Sequence, residues 1–527
     1  MIRRLTGDDV RDLARRFRLQ LTDEAIAEFR DLGNELLAVV EEVDEPHAAG
    51  EPRPPRDRRD SGPASPEEDP LNAITRWIDV AAPAALGPLA GRRIAVKDSI
   101  PIAGMPMTCG SHLLKDFVPA EDSAVTARLL AAGARLVAVT TMDDLAFSGG
   151  GDTGARGPVR NPFDPSRTSG GSSGGSAACL WYEEIDAAVG TDQGGSIRVP
   201  AAWCGVVGLK PTHGLVPYTG IPGIDQTIDH AGPLARTVAD AAELLAVLAG
   251  PDPGDPRQPA GTVPQDYVAA VAEAAAAGGD LRGLTFGLVR QAISDDVGAD
   301  PLVVKAVHAT ADEMRRRGAE VVPVDLPAHL TAGGIAYATF LEGTPPLLRS
   351  GGNGYQWRGR YSPDLAAAVQ RGLRESADAL SPQIKITLMV GSYLQERYGG
   401  AVYARAQNLR PALTAAYDSA LSTVDALLLP TTPGLPFPLD PPPSPGDNVR
   451  RGWALLANTT PTDLTGHPAI SLPLAEAAGL PVGVMLVGRR FADAELLSTA
   501  ARCEAALGRR PLTGPDIPRT PRAPRTN

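Results

Sequence analysis

Residues 167–178 read RTSGGSSGGSAA, with four glycines and four serines between positions 169 and 176. Glycine lets a backbone bend into conformations closed to other residues, so such a segment can bring serine hydroxyls and backbone N–H groups against a ligand. A flexible linker has the same composition. A second Gly-Gly-Ser lies in GTDQGGSIRVPAAWCG, where Ser196 follows the apolar run Ile185–Val189 by a few residues. N–H groups beside such a serine are free to converge on one spot, as a developing oxyanion requires.

Serine is a weak nucleophile until a base takes its proton. His230 in TIDHAGP and His467 in GHPA accompany no serine loop and read as structural hydrogen-bonding residues. Lys97 in RRIAVKDSI is the stronger base: Ile94, Ala95 and Val96 predict a buried strand, and burial disfavours an ammonium. Read alone, the same lysine could pair with Asp98 at a strand end. Only five of the fifty basic residues are lysines, so one in an apolar run stands out.

These residues need elements to hold them. Short apolar runs alternate with helical patterns from Arg92 on: a strand at 94–96, a helix at 123–132, a strand at 136–140. Leu284–Val289, Pro301–Arg317 and Glu320–Val324 repeat that order and predict a crossover between parallel strands. Further strands are expected at 426–429, 470–472 and 482–487, and a last helix at 492–507. The fold class is α/β.

Ahead of this lies an amphipathic helix over 22–43, with Thr22 as cap and Ile26, Phe29, Leu32, Leu36 and Val40 near the helical period. Residues 46–70 are dense in Pro and charge and read as a linker. The expected organisation is an arm and linker over 1–70, a catalytic domain over 71–512 and a tail over 513–527. Residues 331–401, carrying Gly351, Gly352, Asn353, Gly354, Tyr355, Gln356, Trp357 and Tyr361, form either a pocket wall or a surface helical insertion.

Taken together, IAVKD, GGSSGGSAA and GTDQGGSIRVPAAWCGVVGLKPTHG resemble, in order and spacing, the lysine strand, Gly-Ser loop and nucleophile segment of the amidase signature family. NTTPTDLTGHPAISLP and GLPVGVMLVG are similar to its C-terminal signature, and the resemblance runs from about Leu71 to Leu512. It implies the amidase-signature fold, a large, mixed and mostly parallel sheet flanked by helices. It implies hydrolysis of carboxamides to acid plus ammonia or amine through an acyl-enzyme, with no cofactor. By resemblance Ser196 is the nucleophile, Ser172 the bridging serine after a cis Gly171–Ser172 peptide, and Lys97 the base. Gln193, Gly194, Gly195 and Ser196 would supply oxyanion N–H groups, and Phe147 would line the pocket. Ser173, Asp192 and Arg198 would hold the loops. The DQGGSIR form and the arm resemble bacterial members that act on simple aliphatic and aromatic amides, often as homodimers. A glutamine-dependent transamidation subunit is the alternative, and anilides or hydrazides are open as substrates.

Competing motifs fail. Gly171–Gly175 satisfies GxSxG around Ser173, but no acid and histidine follow in matching motifs. Gly149, Gly151 and Gly154 satisfy GxGxxG, yet Pro158 and Pro162 interrupt the helix such a dinucleotide site needs. No phosphate-binding Gly-Lys-Ser/Thr occurs, and seven histidines and four cysteines form no ligand-spaced metal cluster. A net charge of −12 argues against nucleic acid or an anionic membrane as partner and leaves a neutral small molecule. With no apolar leader in the charged first twenty residues and four scattered cysteines, the expected location is the cytoplasm.

Overall fold

The computed structural model describes residues 2–41, 58–82, 86–355, 358–442, 444–508 and 514–518. Residues 46–57 of the expected linker, Gln356 and Trp357, and most of the expected tail lie outside the described residues. The chain divides into two compact units, Met1–Arg56 and Asp57–Asn527.

The first unit holds two helices, Gly7–Phe17 and Asp23–Glu41. The second was expected. The first forms within the charged N-terminal residues because Thr6 and Asp9 make a capping box: Asp9 N donates to Thr6 Oγ1 at 3.2 Å and Thr6 N to Asp9 Oδ2 at 2.8 Å.

The second unit is built on one sheet of twelve strands: β1 (Arg59–Asp60), β2 (Ile74–Ala81), β3 (Arg93–Lys97), β4 (Arg135–Thr140), β5 (Ala187–Asp192), β6 (Val207–Lys210), β7 (His230–Ala235), β8 (Thr285–Val289), β9 (Glu320–Val324), β10 (Ala426–Pro430), β11 (Ala469–Ala477) and β12 (Leu480–Val487). Their spatial order is β1-β2-β4-β3-β5-β7-β6-β11-β12-β10-β8-β9. The predicted crossover is present, with β8 parallel to β9, and β3 is likewise parallel to β4. Asp300 caps the helix Pro301–Arg316 of the latter by accepting from Leu302 N at 2.7 Å.

The sheet is mixed, as expected, but antiparallel pairs outnumber parallel ones. Four pairings are parallel and seven antiparallel. One of the seven has a local cause: β11 and β12 are joined by a two-residue turn at Ala478 and Gly479, both at positive φ, which closes a hairpin and forbids a crossover. Arg59 and Asp60, inside the stretch read as linker, pair with Asp79 and Ile78 and form the edge strand.

Side-chain alternation along the central strands divides the core. Ile94, Val96, Leu136 and Val189 point to one face, where they pack with Val238, Ala241 and Leu245 of helix Val238–Leu248. Ala95, Ala138 and Ala188 point to the other, against Ala177 and Ala178. The small residues have a steric cause: helix Gly174–Ala178 lies so close to the sheet that a Cβ on Gly175 would come within 2.2 Å of Ala73 O. The Gly-Ser stretch is thus a packed layer. Two of its serines, Ser172 and Ser173, meet Lys97 and Thr191 at the ends of β3 and β5.

Candidate active site

Lys97 is the last residue of β3 and Thr191 the next to last of β5, parallel neighbours that end on the same side of the sheet. Lys97 is fully buried, and its Nζ lies 2.8 Å from Ser172 Oγ and 2.8 Å from Thr191 Oγ1. Burial lowers its pKa to about 7, against the opposing pull of Asp143, Asp192 and Cys109. Asp98, which sequence offers as an ion-pair partner, instead accepts from Thr108 N at 3.1 Å and from the Thr108 hydroxyl.

The Gly171–Ser172 peptide is cis. Gly171 N donates to Gly149 O at 2.8 Å and Asp143 N to Ser172 O at 3.3 Å. Next along the chain, Ser173 N donates to Ser196 O at 3.1 Å and the Ser173 hydroxyl to Thr191 O at 3.2 Å. Ser196 is only 5% exposed. Among the described residues its hydroxyl makes no hydrogen bond, so it is not yet linked to Ser172.

The loop that carries Ser196 hangs on Asp192. Its Oδ1 accepts from Gly195 N at 2.6 Å and its Oδ2 from Ile197 N at 3.1 Å. Arg198 donates to both oxygens, at 3.0 and 2.9 Å, and reaches Asp463 Oδ2 at 2.7 Å and Thr462 Oγ1 at 2.6 Å. All three charged groups are fully buried. Burial pushes Asp192 up, and Arg198, with Lys210 and the Ile197 N–H, more than offsets it, holding the carboxyl well below the usual range. Lys210 Nζ lies nearby, donating to His467 O at 2.8 Å and Pro211 O at 3.1 Å.

Of the four N–H groups expected to form the oxyanion hole, that of Gly195 is committed to Asp192. Sequence could not foresee this, because the carboxylate lies three residues upstream and reaches back only when the loop closes. Gly194 O accepts from the hydroxyls of Thr459 and Thr460, which orients that peptide. Among the described residues the N–H groups of Gln193, Gly194 and Ser196 have no protein acceptor.

An apolar cavity adjoins Thr191 and Gln193, lined by Phe147, Met142, Cys109, Ile224 and, from residues 344–369, Thr344, Leu348, Leu365 and Val369. Residues 331–401 therefore wall a pocket. His230 Nδ1–H donates to Ile228 O at 2.7 Å, the structural role expected of it. The four cysteines are free and buried, with Cys204 raised by burial alone. Among the described residues no cluster of three His, Cys, Asp or Glu could hold a metal, and no helix is long and apolar enough to cross a membrane.

The amidase family model matches residues 70–497. This chain belongs to the amidase family. An enantioselective amidase of Rhodococcus rhodochrous is 39% identical over 500 residues, covering 93% of this chain and 94% of that one. A glutamyl-tRNA(Gln) amidotransferase subunit from Halobacterium salinarum is 40% identical over 423 residues, covering 80% and 96%. Among solved structures, the peptide amidase of Stenotrophomonas maltophilia superposes with a TM-score of 0.68 at 30% identity, covering 86% and 92%. The amidase described here is an α/β enzyme that hydrolyses linear carboxamide C–N bonds.

Thr191, Asp143, Asp463 and Thr459 are parts of the site that sequence did not assign. Asp463 and Thr459 lie within NTTPTDLTG, whose likeness to the family was a signal of importance without indicating a role.

Proposed function

We propose that this amidase works through a Ser196 acyl-enzyme, with Ser172 relaying protons between Ser196 and a neutral Lys97. The observation that carries this reading is the 2.8 Å contact of Lys97 Nζ with Ser172 Oγ in a fully buried setting. Ser196 Oγ attacks the amide carbonyl as its proton passes to Ser172 Oγ, while the Ser172 proton passes to Lys97 Nζ. The free N–H groups of Gln193, Gly194 and Ser196 hold the oxyanion, each contributing roughly 3 kcal/mol. Lys97 returns the proton through Ser172 to the leaving nitrogen. Water, deprotonated by the same relay, then releases the acid.

The pocket beside Gln193 favours an apolar acyl group. Glutamine would bring an ammonium and a carboxylate, and the cavity walls offer neither charge a fixed partner. A transamidation subunit, the reading that the Halobacterium salinarum relative keeps in view, is therefore second. Phe29, Leu32, Leu36 and Val40, exposed along one stripe of helix Asp23–Glu41, support a homodimer. The four reduced cysteines support a cytoplasmic setting.

The test is labelling with a fluorophosphonate, located by mass spectrometry, followed by propionamide, benzamide, an anilide and glutamine as substrates. Label on Ser196 with ammonia from the simple amides is expected. Turnover of glutamine alone would favour transamidation, and label on another residue would overturn the triad.

A further inference from the structure

We infer that Asp143 is a positioning residue for the bridging serine, clamping the Gly171–Ser172 peptide from both sides and setting the charge that Lys97 faces. This rests on the triad reading above.

Asp143 lies just beyond β4, is 1% exposed, and uses every polar group it has. Its backbone N–H donates to Ser172 O at 3.3 Å. Its Oδ2 accepts from Gly151 N at 2.9 Å, and its Oδ1 accepts from Thr153 N at 2.9 Å and the Thr153 hydroxyl at 2.7 Å. Those last contacts fix the loop that begins at Gly149, whose carbonyl accepts from Gly171 N at 2.8 Å. The peptide is thus held on the Ser172 side directly and on the Gly171 side through the loop. Packing closes the arrangement: a Cβ on Gly171 would lie 1.9 Å from Asp143 Oδ2, so the carboxylate rests against the Gly171 Cα. This explains why the serine pair needs glycine before it.

Charge gives the clamp a second effect. Among the groups acting on Lys97, Asp143 is the first carboxylate to favour its ammonium form, followed by Asp192 and the Cys109 thiol. Asp143 itself is raised by burial and then by Asp152, which in turn pairs with Arg451 at 2.6 Å. A residue that only filled space would leave the pH profile of the reaction untouched, whereas removing this carboxylate must weaken the hold of Lys97 on its proton.

The experiment is the pH dependence of kcat and KM for a simple amide in wild type and Asp143→Asn, with fluorophosphonate labelling of both. Asn keeps the volume but presents an N–H₂ to a donor on one side. Expected are a kcat reduced by roughly 100-fold with KM little changed, as for a misplaced relay, and an acid limb moved down by about one pH unit. Should this variant not fold, Thr153→Val serves. It removes a hydrogen bond that keeps Asp143 ionised, so kcat should fall and the limb should move in the same direction. Label on Ser196 with wild-type kcat and an unmoved or upward limb overturns the role of Asp143 alone. Label elsewhere in wild type overturns this inference together with the triad.

Discussion

Ser173 N donates to Ser196 O at 3.1 Å, and through that one backbone bond the two Gly-Ser loops hold each other. Ser172 and Ser196 are 24 positions apart in sequence, yet the bond puts the residue after the first beside the second. The loops are therefore one unit, anchored on β5 by the Ser173 hydroxyl and on Arg198 through Asp192.

The two serines should separate by label and rate. Ser196→Ala is expected to abolish both turnover and fluorophosphonate labelling while the circular dichroism spectrum stays unchanged. In the proposed mechanism Ser172→Ala keeps the nucleophile and loses the relay, so slow labelling should persist while kcat falls by about 10²–10⁴. Equal, complete loss of labelling in both variants would contradict the division of roles.

Lys97 makes both activity and stability rise with pH, in different windows. As a base it must be neutral, so kcat should rise about tenfold per pH unit below pH 7 and level off above it. Its folded value lies below the unfolded 10.5, so the penalty of the buried ammonium is full below about pH 7 and vanishes as pH rises to 10.5. Lys97→Met should therefore raise the thermal midpoint most at about pH 6, and the gain should fade by about pH 10. A gain that grows with pH would refute the shift.

Glycine substitutions test the packing of the Gly-Ser layer. Gly175→Ala puts a methyl within 2.2 Å of Ala73 O and 2.6 Å of Thr141 N, all backbone, and should cost about 3 kcal/mol or more in urea denaturation. Gly333→Ala, in helix Ala328–Arg349 with nothing within 4 Å of the new methyl, should stabilise by about 0.5–1 kcal/mol. A linker-like Gly-Ser segment would show the two variants alike.

Pocket size should respond at Leu348. Leu348→Ala removes a wall residue from the apolar cavity, so kcat/KM for benzamide should rise relative to propionamide, by about tenfold. An unchanged ratio would place the acyl group elsewhere.

The sequence by itself determined the chemistry and much of the frame. RRIAVKDSI predicts a buried lysine at a strand end because three apolar residues precede it, and the two Gly-Gly-Ser segments announce tight backbone with free N–H groups. The β8 and β9 crossover and the helix Asp23–Glu41 are equally legible, since their periodicity is local. Other features depend on long-range closure. The antiparallel pairing of β2 with β4, of β7 with β5 and β6, and of β6 with β11 is settled by neighbours far along the chain, and these four pairs make up most of the sheet's antiparallel majority. The commitment of Gly195 N to Asp192, the reach of Arg198 to Asp463 265 residues away, and the clamp of Asp143 on Ser172 arise only when separate loops meet. A side chain's type records what it can do. Which partner it meets is decided by packing, because hydrogen bonds to buried carboxylates form only once the fold has excluded water.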